Sequence, residues 1–372
     1  MQKSQISLGL MSGTSGDGVD ASIVRTNGIN EYELIKDKYF EYDLKIYKDI
    51  HNLKEKIHKI EHLDKYKNEI DNLERSITIF HAEIIKQLNT SENIIIGFHG
   101  QTIYHNSDEK ISRQLGNGKL LHQLTNKNII FNFRKNDILN GGQGAPLTPV
   151  FHHLISMKNE IRLPVCFLNI GGISNITIIK DRENLSELIS RDIGPGNCII
   201  DAWVRKNSNK KFDEGGNLAS SGIKNEIIFE QAQELYFNGK SKKKLSFDVN
   251  DFDVSFVRGL NLSDGVATLT DFTASIIGEE LSLSLKKLKE KTLDILICGG
   301  GRKNKVLLKK IRENIPQNFN LKLIDDYKIN GDFIESQAFA FLAIRSFQGL
   351  PISFPGTTGC KKTCVGGELI TN

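Results

Sequence analysis

Ile6-Ser7-Leu8-Gly9-Leu10-Met11-Ser12-Gly13-Thr14-Ser15-Gly16-Asp17-Gly18-Val19-Asp20 decides how the chain is read. Ile6, Leu8 and Leu10 alternate with small or polar residues, the period-two signature of a buried strand. The run then breaks into Gly, Ser, Thr and Asp, and a second apolar stretch follows through Val19, Ala21, Ile23 and Val24. Strand, polar turn, strand makes a hairpin. At its tip Gly13, Gly16 and Gly18 let backbone N–H groups converge on an anion, while Ser12, Thr14 and Ser15 add hydroxyl donors. Asp17 or Asp20 is suited to holding the water shell of a magnesium ion. Taken alone, such a turn is also what an ordinary hairpin tip looks like.

The same grammar returns at Val165-Cys166-Phe167-Leu168-Asn169-Ile170-Gly171-Gly172-Ile173-Ser174-Asn175-Ile176-Thr177-Ile178-Ile179. A single glycine turn is commonplace. Two in matching contexts imply two related domains, each offering a phosphate-facing turn to a shared cleft. A third buried strand, Leu293 to Cys298, runs into Gly299-Gly300-Gly301-Arg302-Lys303-Asn304 and then a helix carrying Val306, Leu307 and Ile311. That triple glycine is either a tight strand-to-helix turn or bare backbone against which a nucleoside ring lies.

Between these turns, residues 32–44 read as a further strand, and residues 44–89 as helical, with Ile50, Leu53, Ile57, Ile60 and Leu63 three or four apart. His51, His58, His62 and His81 fall among Lys and Glu there and read as helix-surface residues. Ile94 to Ile103 reads as a short buried strand running into a polar turn, which makes His99 and Gln101 ligand-facing candidates. Residues 129–137 form another strand ending in charge. Gly141-Gly142-Gln143-Gly144-Ala145-Pro146-Leu147-Thr148-Pro149 holds three glycines and two prolines in nine residues, so it is a shaped loop and the expected crossover between domains. Asp192, just before Gly194-Pro195-Gly196 and a helix start at Cys198, is either a turn-capping aspartate or an acid beside an anion-friendly helix terminus. Residues 213–260 read as polar and loop-rich, with Leu245 to Asp248 a surface element. A long amphipathic helix follows, from Asp264 to about Lys289. Ile334 to Ile344 is an apolar helix whose Glu335 is either a dipole partner or a substrate contact. The tail from Leu350 is expected to pack back on the first domain.

Composition narrows the classes. The 372 residues, 39% hydrophobic and 25% charged, suit a soluble globular protein of about two domains. Net charge is only +4, and Lys242-Lys243-Lys244 and Lys361-Lys362 are short runs that read as solvated surface, so no nucleic-acid partner is indicated. No apolar run reaches membrane-spanning length, and a core strand begins almost at the N-terminus, leaving no room for a leader, so a cytoplasmic location is expected. Five cysteines without a C-x-x-C pair suggest reduced thiols, with neither a zinc site nor a disulfide framework. A P-loop, a dinucleotide fingerprint and a nucleophile elbow are all missing.

The order of the three glycine turns resembles the actin/hexokinase/Hsp70 ATPase fold. The words themselves go further. Leu10-Met11-Ser12-Gly13-Thr14-Ser15-x-Asp17-Gly18-Val19-Asp20, His99-Gly100-Gln101-Thr102, Gly141-Gly142-Gln143-Gly144-Ala145-Pro146-Leu147 and Asn169-Ile170-Gly171-Gly172-Ile173-x-Asn175 resemble the anhydro-N-acetylmuramic acid kinase family. So do Asp192-x-Gly194-Pro195-Gly196-Asn197, Cys298-Gly299-Gly300-Gly301-x-x-Asn304 and the Phe339-Ala340-Phe341-Leu342-Ala343 helix. The matches run co-linearly from about residue 8 to residue 366. Gly16 stands where the family usually has leucine, and Ser336 and Thr358 where alanine and valine are expected.

The resemblance implies an α/β, two-lobed actin-like (ribonuclease H-like) ATPase fold with a central cleft. Its expected lobes are residues 1–145, joined by 350–372, and residues 146–349. It implies ATP- and Mg2+-dependent conversion of 1,6-anhydro-N-acetylmuramic acid to N-acetylmuramic acid 6-phosphate in cell-wall recycling, by a homodimer. By the same resemblance Asp192 is the catalytic aspartate, the ionised base that the attacking water requires. Gly13, Thr14, Ser15, Gly16, Asp17, Gly18, Val19 and Asp20, with Gly171 and Gly172, take the phosphates, and Gly299, Gly300, Gly301 and Asn304 the nucleoside. Asp17 holds the metal through water, and Gln143, Glu335 and His99 are assigned to the sugar. The competing readings are another actin-like sugar kinase acting on a free hydroxyl, and a non-catalytic ATP-binding regulator.

Overall fold

The computed structural model describes residues 3–239, 245–286, 288, 290 and 292–371. The Lys242–Lys244 run and Lys289 lie outside them. Two compact units emerge: residues 1–162, 181–189 and 333–372 form the first, residues 163–180 and 190–332 the second. Contacts therefore divide the chain elsewhere than at 145/146 and 349/350. The Gly141–Pro149 loop lies wholly in the first unit and is not the crossover, and the helix Ile334–Phe347 belongs with the first sheet.

In the first unit, β1 (Gln5–Ser12), β2 (Gly18–Thr26), β3 (Tyr32–Glu41), β4 (Ile95–Asn106), β5 (Ile111–Leu115) and β6 (Asn128–Phe131) share a sheet with the terminal strand Glu368–Ile370. Its order is β3-β2-β1-β4-β6 and then the terminal strand, with β5 paired to β4. β1 is antiparallel to β2 and parallel to β4. The period-two alternation explains both faces. Leu8 and Leu10 point into a core with Ile50, Leu53 and Ile77 from the helices Leu44–Lys54 and Lys67–Gln87. On the other face Ser7 and Gly9 meet the helix Ile334–Phe347, and the Ser7 hydroxyl donates to Ala340 O at 2.8 Å. Gly9 is paired with Gly97. A Cβ at Gly9 would fall 1.9 Å from Ser336 O, and one at Gly97 2.3 Å from Phe339 O. The two glycines form a bare floor on which the helix backbone rests. Ser336, at an expected alanine position, places its hydroxyl 2.6 Å from that of Ser22.

Two expectations fail here. β4 runs straight through His99 and Gln101 to Asn106, with Gly100 at φ 75° absorbing a register shift, so no turn begins there. His81 is fully buried, not on a helix surface: its ring lies 4.8 Å from that of Phe98 and Nδ1 is 2.7 Å from Ile77 O. Burial pushes its pKa down to about 4.

The second unit holds β7 (Val165–Ile170), β8 (Ile173–Ile179), β9 (Ile189–Pro195), β10 (Leu293–Cys298) and β11 (Phe319–Leu323). The order β9-β8-β7-β10-β11 is that of β3-β2-β1-β4-β6 in the first unit. Duplicate grammar in the sequence thus corresponds to duplicate topology. The core joins Cys166, Leu168 and Ile170 to Ala274, Ile277 and Leu281 of the helix Leu262–Leu285 and to Leu307 and Ile311 of the helix Lys305–Glu313. The stretch expected to be loop-rich contains a 13-residue helix, Glu226–Asn238, capped by the Asn225 side chain. Its polar residues hid a buried seam around Ala232.

Candidate active site

In the first unit the β1–β2 turn is built from beneath. Gly16 N–H donates to Gly13 O at 3.1 Å, and Gly16 itself sits at φ 64°, where a leucine would be strained. Gln101 holds the turn from the neighbouring strand. Its Nε2 donates to Gly13 O at 3.0 Å, and its Oε1 lies 2.7 Å from the Ser12 hydroxyl, which also accepts from the Tyr42 hydroxyl. Thr14 and Ser15 are exposed, and Ser15 Oγ donates to Asp17 Oδ1 at 2.6 Å. Val19 puts its side chain in the core, and Gly18 is bare because a Cβ would meet Phe40 O at 2.4 Å. Lys54 Nζ donates to Thr14 O at 2.7 Å and brings a cation to the tip. Nothing in its lysine-rich surroundings singled Lys54 out.

His99 is 5% exposed and its two ring nitrogens are occupied. Nδ1 donates to Gly100 O at 2.8 Å, which leaves Nε2 to accept from Arg134 at 2.9 Å. Burial, then the Arg134 charge, pushes its pKa down to about 3. Arg134 in turn donates to Gly144 O at 2.8 Å, so His99 meets the Gly141–Pro149 loop at one remove. Gln143, half-buried, is fixed by its N–H on Thr358 O at 2.9 Å. Glu335 is half-buried in the first turn of its helix.

The His99 assignment carries a pH consequence. Its folded pKa is depressed, so the unfolded chain takes up a proton below about 6.5 that the native chain refuses. Stability from this group is full above that pH and is lost as pH falls toward 3. Urea unfolding at pH 7 and 5.5 is expected to give a difference about 1 kcal/mol larger for the wild type than for His99→Gln. Identical pH dependence would contradict the buried neutral imidazole.

In the second unit three loops converge. Cys298 is paired with Asn169, so the glycine turns after the parallel strands β7 and β10 lie side by side at their carboxyl ends. A Cβ on Gly301 would fall 2.2 Å from Ile170 Cγ2, whereas one on Gly300 meets nothing within 4 Å. The third loop, 194–197, docks on the first: Gly196 N–H donates to Gly172 O and Asn197 N–H to Gly171 O, both at 2.8 Å. Gly171 and Gly172 are partly exposed beside it. Bare, outward-facing backbone at Gly171 and Gly300 is what close approach of a phosphate or a ring requires. Asn304 instead caps the helix Lys305–Glu313, its Oδ1 accepting from Leu307 N–H at 3.0 Å.

Asp192 sits on β9 itself, two residues before Gly194, and not in the turn; the helix opens only at Cys198. It is 6% exposed. Its N–H donates to Leu245 O and its Oδ2 accepts from Phe247 N–H, each at 2.8 Å. The segment Leu245–Phe247, expected on the surface, thus lies along β9 with Ser246 buried. Arg302 carries no motif signal in the sequence, yet it braces the Gly299 turn. Its guanidinium donates to Asp325 (2.7 and 3.1 Å), to Asp332 (2.6 Å) and to Gly299 O (3.1 Å). Burial works against that charge and the two carboxylates more than offset it, so the pKa is held above its ordinary value.

Two α/β units of the same strand order thus carry glycine turns at strand ends, and the second holds a buried acid, Asp192; comparison with known proteins makes the class that of a kinase. A model of the anhydro-N-acetylmuramic acid kinase family matches residues 5–372. The chain is 53% identical to the anhydro-N-acetylmuramic acid kinase of Pelagibacter ubique (strain HTCC1062), over all of both chains. It is 33% identical to that of Agrobacterium fabrum (strain C58), again over all of both. The chain belongs to the anhydro-N-acetylmuramic acid kinase family. Among solved structures, the Acidaminococcus fermentans (R)-2-hydroxyglutaryl-CoA dehydratase component A aligns over 92% of this chain and 98% of its own, at 12% identity and a TM-score of 0.45. Among the described residues no helix is long and apolar enough to cross a membrane.

Proposed function

We propose that this kinase opens 1,6-anhydro-N-acetylmuramic acid with water and phosphorylates O6 from ATP, giving N-acetylmuramic acid 6-phosphate for peptidoglycan recycling and amino-sugar metabolism. It does so in the cytoplasm, as a homodimer. The observation that carries the mechanism is a nearly buried Asp192 whose carboxylate is fixed by a backbone N–H two residues from the docked Gly194–Asn197 loop. O6 of this sugar is tied to C1 in an acetal and has no proton to lose, so a base on O6 has nothing to do. Instead a water oxygen bonds to C1 as the C1–O6 bond breaks. O6 takes the γ-phosphoryl group, ADP leaves, and the water's proton passes to Asp192. A positioned base of this kind contributes about 10²–10⁴-fold.

The remaining work is alignment and charge neutralisation. Gly13 to Asp20 and Gly171–Gly172 receive phosphates through backbone N–H groups and the Thr14 and Ser15 hydroxyls. Gly299–Gly301 receive the nucleoside, with Asn304 acting through the helix it caps. The Ser15–Asp17 pair at the tip offers oxygen ligands of the hard type that Mg2+ prefers, and Asp17 would hold it through water, where it would supply neutralisation of phosphate charge. Gln143 and Glu335 contact the sugar, and His99 positions Arg134 and the Gly144 loop.

Purified protein with ATP and Mg2+ is expected to release ADP when the anhydrosugar is added, and not with N-acetylmuramic acid or N-acetylglucosamine. Turnover of a free-hydroxyl sugar instead indicates an ordinary kinase; ATP binding without sugar turnover indicates a regulator. Arg302 supplies a further check. Arg302→Lys keeps the charge but loses the planar fork that ties Gly299 to Asp325 and Asp332. Its KM for ATP is expected to rise about fivefold, about 1 kcal/mol, with kcat little changed. An unaltered KM would remove Arg302 from nucleotide binding.

A further inference from the structure

Asp137, Cys360 and Cys364 meet in the first unit, all three buried, with a carboxylate oxygen and two sulfurs within 4.8 Å of one another. None of them takes part in the chemistry above, and the cysteines lie over two hundred residues from the aspartate in sequence, Cys364 being 227 residues away. Cys364 Sγ is 3.9 Å from Asp137 Oδ1. The carboxylate is already aimed. Thr358 Oγ1 donates to Oδ1 and Gly144 N–H to Oδ2, both at 2.6 Å. Metal-ligating carboxylates are oriented by hydrogen bonds of this kind, and each oxygen keeps a second lone pair. A separate observation points the same way. Ser353 is 1% exposed and belongs to the same buried patch. An isolated antiparallel bridge puts Ser353 directly opposite Cys364, and its hydroxyl hydrogen-bonds to the Cys364 sulfur, which brings an oxygen to the edge of the cluster.

We propose that Asp137, Cys360 and Cys364 bind a thiophilic divalent cation of the Zn2+ class, with Ser353 Oγ in the fourth position. Two sulfurs and two oxygens at this spacing suit a closed tetrahedral site, and sulfur ligands select Zn2+ over Mg2+. Without an ion, burial pushes both thiols up, Cys364 to about 12. Binding therefore releases two protons to solvent as the cation replaces them. A disulfide at the same place would need an oxidant. The ion ties the helix Lys135–Leu139 to the Ser353–Cys364 segment. It thereby fixes the loop whose Gln143 N–H bonds to Thr358 O.

The test uses the full-length protein, stripped with chelator and titrated with Co2+. One equivalent is expected to bind with sulfur-to-cobalt charge-transfer absorption and the visible bands of tetrahedral Co2+, all abolished by competing Zn2+. Thr358→Val, which removes the hydroxyl that orients Asp137 and reaches Cys360, is expected to weaken Co2+ binding about 10- to 100-fold. The double variant Cys360→Ser/Cys364→Ser is expected to lose the charge-transfer band while keeping its far-ultraviolet circular dichroism. The wild-type spectrum stands independently of whether any variant folds. No Co2+ binding at micromolar concentration, a bound spectrum without the sulfur band, or a Cys360–Cys364 disulfide in a protein that takes up no metal would each overturn the proposal.

Discussion

Asp192→Asn is expected to lower kcat by about 10²–10⁴-fold while leaving ATP affinity within about twofold, near 0.4 kcal/mol. The asymmetry follows from what the side chain does. Asp192 Oδ2 accepts the Phe247 N–H, and an amide oxygen of the same shape can keep that bond, so β9 and its partner segment stay in place. What the amide cannot do is take a proton from water. Steady-state kinetics and calorimetric titration with a non-hydrolysable nucleotide separate the two effects. Wild-type turnover in this variant would remove Asp192 from the mechanism. Loss of nucleotide binding together with turnover would make its role structural.

Gly196→Ala is expected to cost about 1–3 kcal/mol of stability and to raise KM for ATP about tenfold. A Cβ there would sit 2.3 Å from Gly171 O and 3.1 Å from Gly172 O. Both obstacles are backbone, so no rotamer change relieves them. Either the 194–197 loop lifts away, breaking the bonds from Gly196 and Asn197, or the Gly171–Gly172 turn is displaced. Both routes spoil the docked arrangement. Gly300→Ala is the control, because its Cβ would meet nothing within 4 Å. That variant is expected to unfold at the wild-type temperature and yet to bind ATP more weakly, since on the proposed assignment the new methyl would stand where the nucleoside approaches. Thermal unfolding with nucleotide titration distinguishes the pair. Equal behaviour of the two variants would mean that the glycines are merely turn formers.

How much of this was legible depends on where the information lay. β1 could be read directly, because its two faces differ: Leu8 and Leu10 enter a core while Ser7 and Gly9 admit a helix. The duplicated topology was legible for the same reason, through the two strand–glycine–strand hairpins. Gly97 carried a signal that periodicity does not weigh, since a glycine inside a strand often marks close backbone approach. The candidate site was half legible as an arrangement of residues, its role being the proposal above. Its turns and Asp192 stand in contiguous motifs, but the groups that hold them do not. Arg302 earns its place through Asp325 and Asp332, and Gln101 through Gly13. His81 misled because a polar residue flanked by lysine and glutamate resembles a surface one until the ring of Phe98 covers it. Asp137, Cys360 and Cys364 defeated motif reading outright: ligand spacing was sought along the chain, and the fold supplies it across the first unit.

Water attack at C1 is decided by where the entering oxygen goes. Protein, ATP, Mg2+ and 1,6-anhydro-N-acetylmuramic acid incubated in ¹⁸O-labelled water, with the product analysed by mass spectrometry before the anomeric oxygen exchanges, give the most direct answer. The expected product is N-acetylmuramic acid 6-phosphate with one heavy oxygen at C1 and none in the phosphate. A phosphorylated sugar without the label at C1, or heavy oxygen in the transferred phosphate, would contradict a water attacking C1 under the control of Asp192.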